Sequence, residues 1–531
     1  MPAPLPPRPA PLLPLWAALT AAVGSGILLD LAFPAVSLWV AALPAIALQL
    51  AALSGRRAGG AFLTAFAAGT AFYLVDIPWI QQFLGDSFGA LSLVPLIGLT
   101  VFESLFWGVG GILIALALRR VPRLPGGRLL LPAVVAGLWT LREGVSAVFP
   151  FGGFAWGRIG YSQADGPLAG LLPWVGTSGV TFVVVLLVAA AMQLPRAARR
   201  LPAATALAAL ATALVLVPGY PVASAGSLRV AAVQGDGRAG YFDRAASGEL
   251  LEAQYRATLP LIREGADVDV VVWPEGGSDL DPETDDLAAA AFDAVSGALD
   301  APLVSGVITT RGDETYNSSI VWQHGLGVTD RYDKRHPVPF GEYVPLRSLI
   351  EPLVPSLIDL IGREYTPGST DAVALVGRVT VGLNICFDIV DDALLRETVD
   401  DGAQLILAQS NNADFGDSDE SLQQLQIARA RALETGRSVV VVSTVGTSAV
   451  IAPDGRTIDT IDRDTAGTMV DDVPLSTTIT PAVAVGGQLE WFLALFGLLT
   501  TLLASTGAGG ARDRDARARA PRAQAPRRWR R

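Results

Sequence analysis

Cys386 is the only cysteine in 531 residues, and it closes the apolar stretch "GLNICFDIV" (382–390) with a carboxylate, Asp388, two positions later. A lone thiol is most often a small buried hydrophobe. To serve as a nucleophile it needs a base to take its proton and a fixed positive charge to hold the oxyanion of a tetrahedral intermediate. Two other stretches carry such groups. "VVVWPEGG" holds Glu275, and the Pro- and Gly-broken loop "DRYDKRHPVPFGEYVP" (330–345) holds Lys334 and Glu342. A glutamate desolvated at a strand end acquires a raised pKa, suited to taking and returning a thiol proton. Each group also has a plainer reading: Glu275 as a helix cap, Lys334 as a solvated loop charge, Glu342 as a loop acceptor. His336 could act as a papain-like base, but it sits among prolines with no orienting Asn or Asp in view. With His324 and His336 the only histidines, a Cys- or His-rich metal centre is excluded.

These residues need a scaffold, and from Ser227 onward the sequence supplies one. Short β-rich runs predict strands at 228–234, 268–275, 302–308, 318–323, 379–386, 404–410, 438–444 and 448–453. Helical stretches at 246–265 and 420–437 lie between them. Many of the strands are apolar on both faces, which predicts a layered α/β domain over 220–485. Glu275 and Cys386 fall at strand ends, where ligands gather in such domains.

The rest of the chain is of another kind. Hydrophobic residues make up 51% of the sequence and the mean hydropathy is +0.43. Of the 50 acidic residues only six precede Asp236. Runs of about 20 apolar residues read as membrane spans, because ~30 Å of hydrocarbon requires that length of helix. They fall near 12–33, 36–53, 61–84, 91–118, 130–148, 170–193 and 201–219, with an eighth at 486–506. The first run is too long and too poorly flanked for a cleaved leader. Positive charge clusters at Arg56–Arg57, in "RRVPRLPGGR" (119–128), in "RAARR" (196–200) and in the tail 507–531, which is read as a disordered topology anchor. An inside N-terminus places all four clusters in the cytoplasm and residues 220–485 outside. There a lone thiol has no second cysteine in the chain to pair with. No P-loop, dinucleotide fingerprint, internal repeat or nucleic-acid-binding pattern is present.

Taken together, "WPEGG", "YDK", "PFGEYVP" and "NICFD" resemble the Glu–Lys–Cys motifs of the nitrilase (carbon–nitrogen hydrolase) superfamily. The whole layout, a domain of that kind between seven upstream spans and one downstream, is similar to the apolipoprotein N-acyltransferases. The likeness extends to "FAWGRIGYSQADGPLAG" (154–170). It implies a polytopic helical membrane bundle (1–219 and 486–506) joined to an extracytoplasmic αββα sandwich. It further implies Glu275 as general base, Lys334 as oxyanion stabiliser and Cys386 as acyl-accepting nucleophile, with Glu342, Phe387 and Asp388 supporting them. No cofactor or metal is implied. The expected substrates are a phospholipid acyl donor and a diacylglyceryl-modified apolipoprotein acceptor, met in the bilayer of a bacterial cell membrane. Two departures bear on substrate preference. Phe387 and Asp388 stand where the family has Tyr and Glu, and Asp414 stands where Trp is common. A membrane-tethered amidase and an inert anchor for a partner glycosyltransferase are the competing readings; the intact Glu, Lys and Cys set argues against the second.

Overall fold

The computed structural model describes residues 10–83, 86–237, 239–240, 246–352, 355–358 and 363–518. The long helices ahead of the first strand are α1 (Leu15–Asp30), α2 (Ala42–Leu53), α3 (Ala58–Asp76), α4 (Leu93–Arg120), α5 (Gly127–Ser146), α6 (Leu172–Gln193) and α7 (Arg200–Val215). By length and composition five helical segments can cross a membrane: Ala58–Asp76, Gly89–Arg123, Gly127–Ser146, Ala169–Arg196 and Pro481–Thr506. The helical stretches Leu15–Asp30, Trp39–Leu53 and Arg200–Val215 are apolar but shorter. Residues Leu12, Ser54, Leu118, Leu131, Met192 and Arg196 line one cavity, so the chain segments that carry three of the four basic clusters meet at one end of the bundle.

The second domain is built on two six-stranded sheets. The first contains β1 (Ser224–Gln234), β2 (Val270–Val272), β3 (Leu303–Arg311), β4 (Glu314–Gln323), β5 (Gly327–Asp333) and, beside β1, β12 (Gly467–Ser476). The second runs from β6 (Val373–Val376) through β7 (Val379–Ile385), β8 (Leu405–Ser410), β9 (Ser438–Ser443) and β10 (Ser448–Ile451) to β11 (Thr457–Ile461). In each, three central strands are parallel: β1–β2–β3 and β7–β8–β9. Val230, Val272, Val304, Leu383, Leu405 and Val440 fill the space between the sheets. Helices α8 (Glu249–Glu264) and α9 (Asp286–Leu299) cover the outer face of the first sheet, Phe292 of α9 packing with Val271 and Trp273. On the second sheet lie α10 (Asp392–Asp400) and α11 (Glu420–Thr435), giving an αββα order. A last helix, α12 (Pro481–Ala518), returns to the bundle. Gly137 and Gly497 let α5 and α12 touch: a Cβ on Gly137 would lie 2.4 Å from the Leu493 carbonyl oxygen. The tail was expected to be irregular from 507; α12 continues to Ala518, and 519–531 lie outside the described residues.

Helix α11 is buried on both sides, between the second sheet and the bundle, within one apolar cluster that runs from Ile406 and Val439 to Tyr161 and Val180. Polar contacts fix that docking. Arg431 donates to the carbonyls of Ile389 and Val390, to the Tyr161 hydroxyl (2.8 Å) and to Asp392 (2.5 Å) and Glu434 (2.7 Å). Arg158, from the loop after α5, reaches the other oxygen of Asp392 at 2.7 Å. Burial alone would raise Asp392; the two guanidiniums hold it well below the usual carboxylate range. Truncating either arginine would leave Asp392 with one guanidinium instead of two and strip the buried contacts that the lost arginine makes, which is destabilising.

Sequence patterns and strands differ at two kinds of place. The run 268–275 is a strand only over Val270–Val272, because Pro274 has no N–H to continue the ladder. Strands β5, β6 and β12 do not stand out in the sequence, and β11 only as the partner across the turn 452–456; all four are edge strands, where polar residues dilute the alternation.

Candidate active site

Five strands deliver the polar residues. Glu275 follows β2, Asn317 lies in β4, Lys334 follows β5, Cys386 follows β7 and Asn411 follows β8. The parallel strands aim their carboxyl ends the same way, so Glu275, Cys386 and Asn411 collect at one end of the sandwich. A cross-sheet link fixes the spacing: Ser319 Oγ donates to Gln409 Oε1 (2.5 Å), and Gln409 Nε2 donates to the Trp273 carbonyl (2.6 Å). Gly306 lets the Glu275 backbone come close, since a Cβ there would stand 2.5 Å from the Glu275 Cα.

One asparagine joins two carboxylates. Asn317 Nδ2 donates to Glu275 Oε1 at 2.7 Å and to Glu342 Oε1 at 2.8 Å. Glu275 Oε2 accepts the Asn411 N–H at 2.9 Å. Glu342 Oε2 accepts the Val338 N–H at 2.6 Å and pairs with Lys334 Nζ at 2.9 Å. Lys334 is 2% exposed. Burial alone would lower it, but Glu342, then Cys386 and Glu275, raise it above the ordinary lysine value, so it is a permanent cation. Burial drives Glu275 up to about 7, with Glu342 adding to the rise and Lys334, Asn317 and Asn411 opposing it. The same burial, with Glu275 beside it, pushes the Cys386 thiol well above its usual value against the pull of Lys334. The resting thiol is therefore protonated, beside a carboxylate that titrates near neutrality. That combination can pass a proton.

Cys386 adopts φ 53°, a left-handed conformation uncommon for a side chain with a Cβ, and opens the one-turn 3₁₀ segment Cys386–Val390. Asp388 secures this turn by accepting the Ile385 N–H (3.0 Å) and the Tyr332 hydroxyl (2.9 Å). Burial raises Asp388 to about 6, with Lys334 opposing. Behind the sulfur, Gln409, Ser410, Gln424, Ile389, Ala408, Ala428 and Val441 line a small pocket. Phe387 turns toward the bundle and stacks on Trp156 (centroids 6.1 Å apart, 4° between planes) and Phe154 (5.9 Å, 15°). The residue that follows Cys386 thus joins an aromatic cluster contributed by the loop after α5 of the membrane bundle.

All six residues singled out in the sequence, Glu275, Lys334, Glu342, Cys386, Phe387 and Asp388, meet at this end of the sandwich. Glu275 caps no helix; Asp285 does that for α9. His336 stands apart, half exposed, and an orienting carboxylate does exist: Asp391 lies 2.8 Å from its Nδ1 and also caps α10. Asn317, Asn411, Gly306 and Gln409 were missed. The available signal was polar residues within otherwise apolar strand runs, such as Asn317 ahead of "SSIVWQ".

Comparison with known proteins covers both domains. Residues 25–190 match the apolipoprotein N-acyltransferase N-terminal domain, and residues 229–480 match carbon-nitrogen hydrolase. The chain is 34% identical over 526 residues to an apolipoprotein N-acyltransferase of Mycolicibacterium smegmatis, covering 92% of this chain and 85% of that one. It is 32% identical over 509 residues to that of Azotobacter vinelandii, covering 92% and 95%. Among solved structures, an amidase of the nitrilase superfamily from Nesterenkonia aligns at 18% identity and a TM-score of 0.36, covering 48% of this chain and 94% of its own.

Proposed function

The chain belongs to the apolipoprotein N-acyltransferase family, and from that premise we propose that it acylates lipoprotein N-termini through a thioester on Cys386. Glu275 takes the Sγ proton as the sulfur attacks the ester carbonyl of a phospholipid acyl chain. Lys334, held by Glu342, balances the oxyanion of the tetrahedral intermediate. Glu275 then returns the proton to the departing glyceryl oxygen, and a lysophospholipid leaves. The α-amine of an S-diacylglyceryl-cysteine attacks the thioester next, forming the amide and restoring the thiol. Phe387 and Asp388 support the nucleophile, the first from the wall facing the bundle and the second by bracing its turn.

The observation that carries this reading is the placement of the consecutive residues Cys386 and Phe387, the first under the electrostatic influence of Glu275 and Lys334 and the second packed on the bundle. On one side lies the Glu275–Asn317–Glu342–Lys334 chain of hydrogen bonds and charges. On the other, Phe387 stacks on Trp156 and Phe154 of the membrane domain. Both proposed substrates are lipid-anchored, so a nucleophile at the bundle gains proximity that diffusion through water would not provide. A hydrolase of soluble amides has no use for that arrangement.

Eight helices cross the bacterial cell membrane in this reading, the three shorter ones included, and residues 220–485 lie on the extracytoplasmic side. The four basic clusters support the orientation. The test is reconstitution in vesicles whose phospholipid carries a labelled acyl chain. Label should pass to the α-amine of an added diacylglyceryl-cysteinyl peptide. Release of free labelled fatty acid with an unmodified peptide would sink the transferase assignment.

A further inference from the structure

Glu420 is a buried carboxyl that the Glu275, Lys334 and Cys386 chemistry leaves unused. It opens α11, is 3% exposed, and its Oε2 accepts from Asn412 Nδ2 at 2.6 Å. The same Nδ2 donates to Gln424 Oε1 at 3.2 Å, and Gln424 lines the pocket behind Cys386. The hydroxyls of Ser410 (3.1 Å) and Ser443 (2.5 Å) donate to Asn412 Oδ1, which fixes the amide with its donor toward Glu420. The preceding residue, Asn411, gives its N–H to Glu275. Two consecutive asparagines at the end of β8 therefore hold the two carboxyls about one turn. The titratable neighbours that act on this corner are Glu275 and Cys386, and no salt bridge joins Glu420 to a basic side chain among the described residues.

The proton balance of the second half-reaction needs such a group. An α-amine is an ammonium until about pH 7.7–8.0. It must lose one proton before its lone pair can attack the thioester carbon, and another as the amide forms. The C–N bond forms and the C–S bond breaks, and the thiolate recovers the second proton through Glu275. The first proton has no receiver among Glu275, Lys334 and Cys386. We propose that the ionised fraction of Glu420 draws the acceptor's ammonium toward the thioester and takes that first proton, then releases it to water. Burial, helped by the charge of Glu275 and opposed by the Asn412 hydrogen bond, pushes Glu420 up to about 8, level with an α-amine, so the transfer is nearly thermoneutral. The assignment rests on the acyl-transfer reading of the site.

The experiment separates the half-reactions in the full-length protein reconstituted in phospholipid vesicles, with a synthetic diacylglyceryl-cysteinyl peptide as acceptor probe. Glu420→Gln should still form the thioester, yet pass its acyl group to the peptide about 10²-fold more slowly at pH 7. That deficit should shrink to severalfold at pH 9, where water removes the ammonium proton, and Glu420→Asp should recover part of the rate at pH 7. A deficit equal at both pH values, or thioester formation slowed as much as transfer, would make Glu420 merely structural and overturn the proposal. Should Glu420→Gln fail to insert, the pH comparison is made on Glu420→Asp: a deficit that shrinks by pH 9 supports the proposal, and one that stays constant overturns it. Absence of thioester in the unaltered protein would instead remove the underlying reaction, and this assignment with it.

Discussion

Replacing Asn317 with leucine should expose how Glu275 is tuned. Leucine keeps the branching at Cγ, in a slightly larger side chain, but removes the Nδ2 donor that serves Glu275 Oε1 at 2.7 Å and Glu342 Oε1 at 2.8 Å. A hydrogen bond to a charged group contributes about 1.5–3 kcal/mol. Spread over the ionised form alone, that is roughly one to two pKa units at about 1.36 kcal/mol each. Glu275 stands at about 7 with the bond in place, and the bond lowers it. Without it the titration moves up, and the fraction of Glu275 able to accept a proton at pH 7 falls from about half to roughly 1–10%. Thioester formation should then be roughly 5- to 50-fold slower at pH 7 and return to within about twofold near pH 9, because only the protonation state has changed. The assay is single-turnover acylation from a fluorescent phospholipid between pH 5.5 and 9.5, read as an upward shift of the rising limb. A loss of the same size at every pH would refute the reasoning, for it would mean that Asn317 positions the site without tuning the base.

Glu275→Gln and Lys334→Met should each cost about 10²–10³ in acylation rate, and the double variant should be little worse than Glu275→Gln alone because the groups act as a unit; losses that multiply would make them independent. Gly306→Ala should disable acylation and lower the melting temperature, since the new Cβ would sit 2.5 Å from the Glu275 Cα; normal activity would mean the strand-end approach is not needed. In a Cys386→Ala background, an impermeant thiol reagent should label Asp417→Cys, a side chain 92% exposed, in intact cells. It should label Ala523→Cys only after permeabilisation, and the reverse pattern would invert the topology.

The membrane bundle was legible because its helices are apolar all round, a pattern that few soluble folds carry. Helix ends were less so: the apolar runs near 12–33 and 201–219 contain helices that stop at Asp30 and Val215. Glu275 and Cys386 stood out as polar groups at the ends of apolar strands, whereas Lys334 stood out only as a charge in a Pro- and Gly-broken loop, because the strand before it is too polar to read as one. Asn317 was not, because a residue inside a strand declares its partner only once the facing loop is placed, and the partner Glu342 is 25 residues away. Phe387 looked like an exchange of one ring for another, whereas its packing against Trp156 depends on a loop from the other domain. Glu420 read only as the first residue of a helix; its burial follows from α11 lying beneath the bundle. Contacts within the sandwich account for the missed Asn317, Asn411, Gly306 and Gln409, and contacts between the two domains for Phe387 and Glu420.

The central claim is a covalent acyl group on one sulfur, and the mass of the Cys386 peptide tests it directly. The purified protein, incubated with phospholipid of a single acyl chain and no acceptor, should yield that peptide heavier by one acyl group less one hydrogen. The adduct should be cleaved by neutral hydroxylamine and should disappear when the diacylglyceryl peptide is added. Cys386→Ala should insert and fold yet carry no adduct. An unmodified Cys386 peptide in protein that still N-acylates the acceptor would contradict the account.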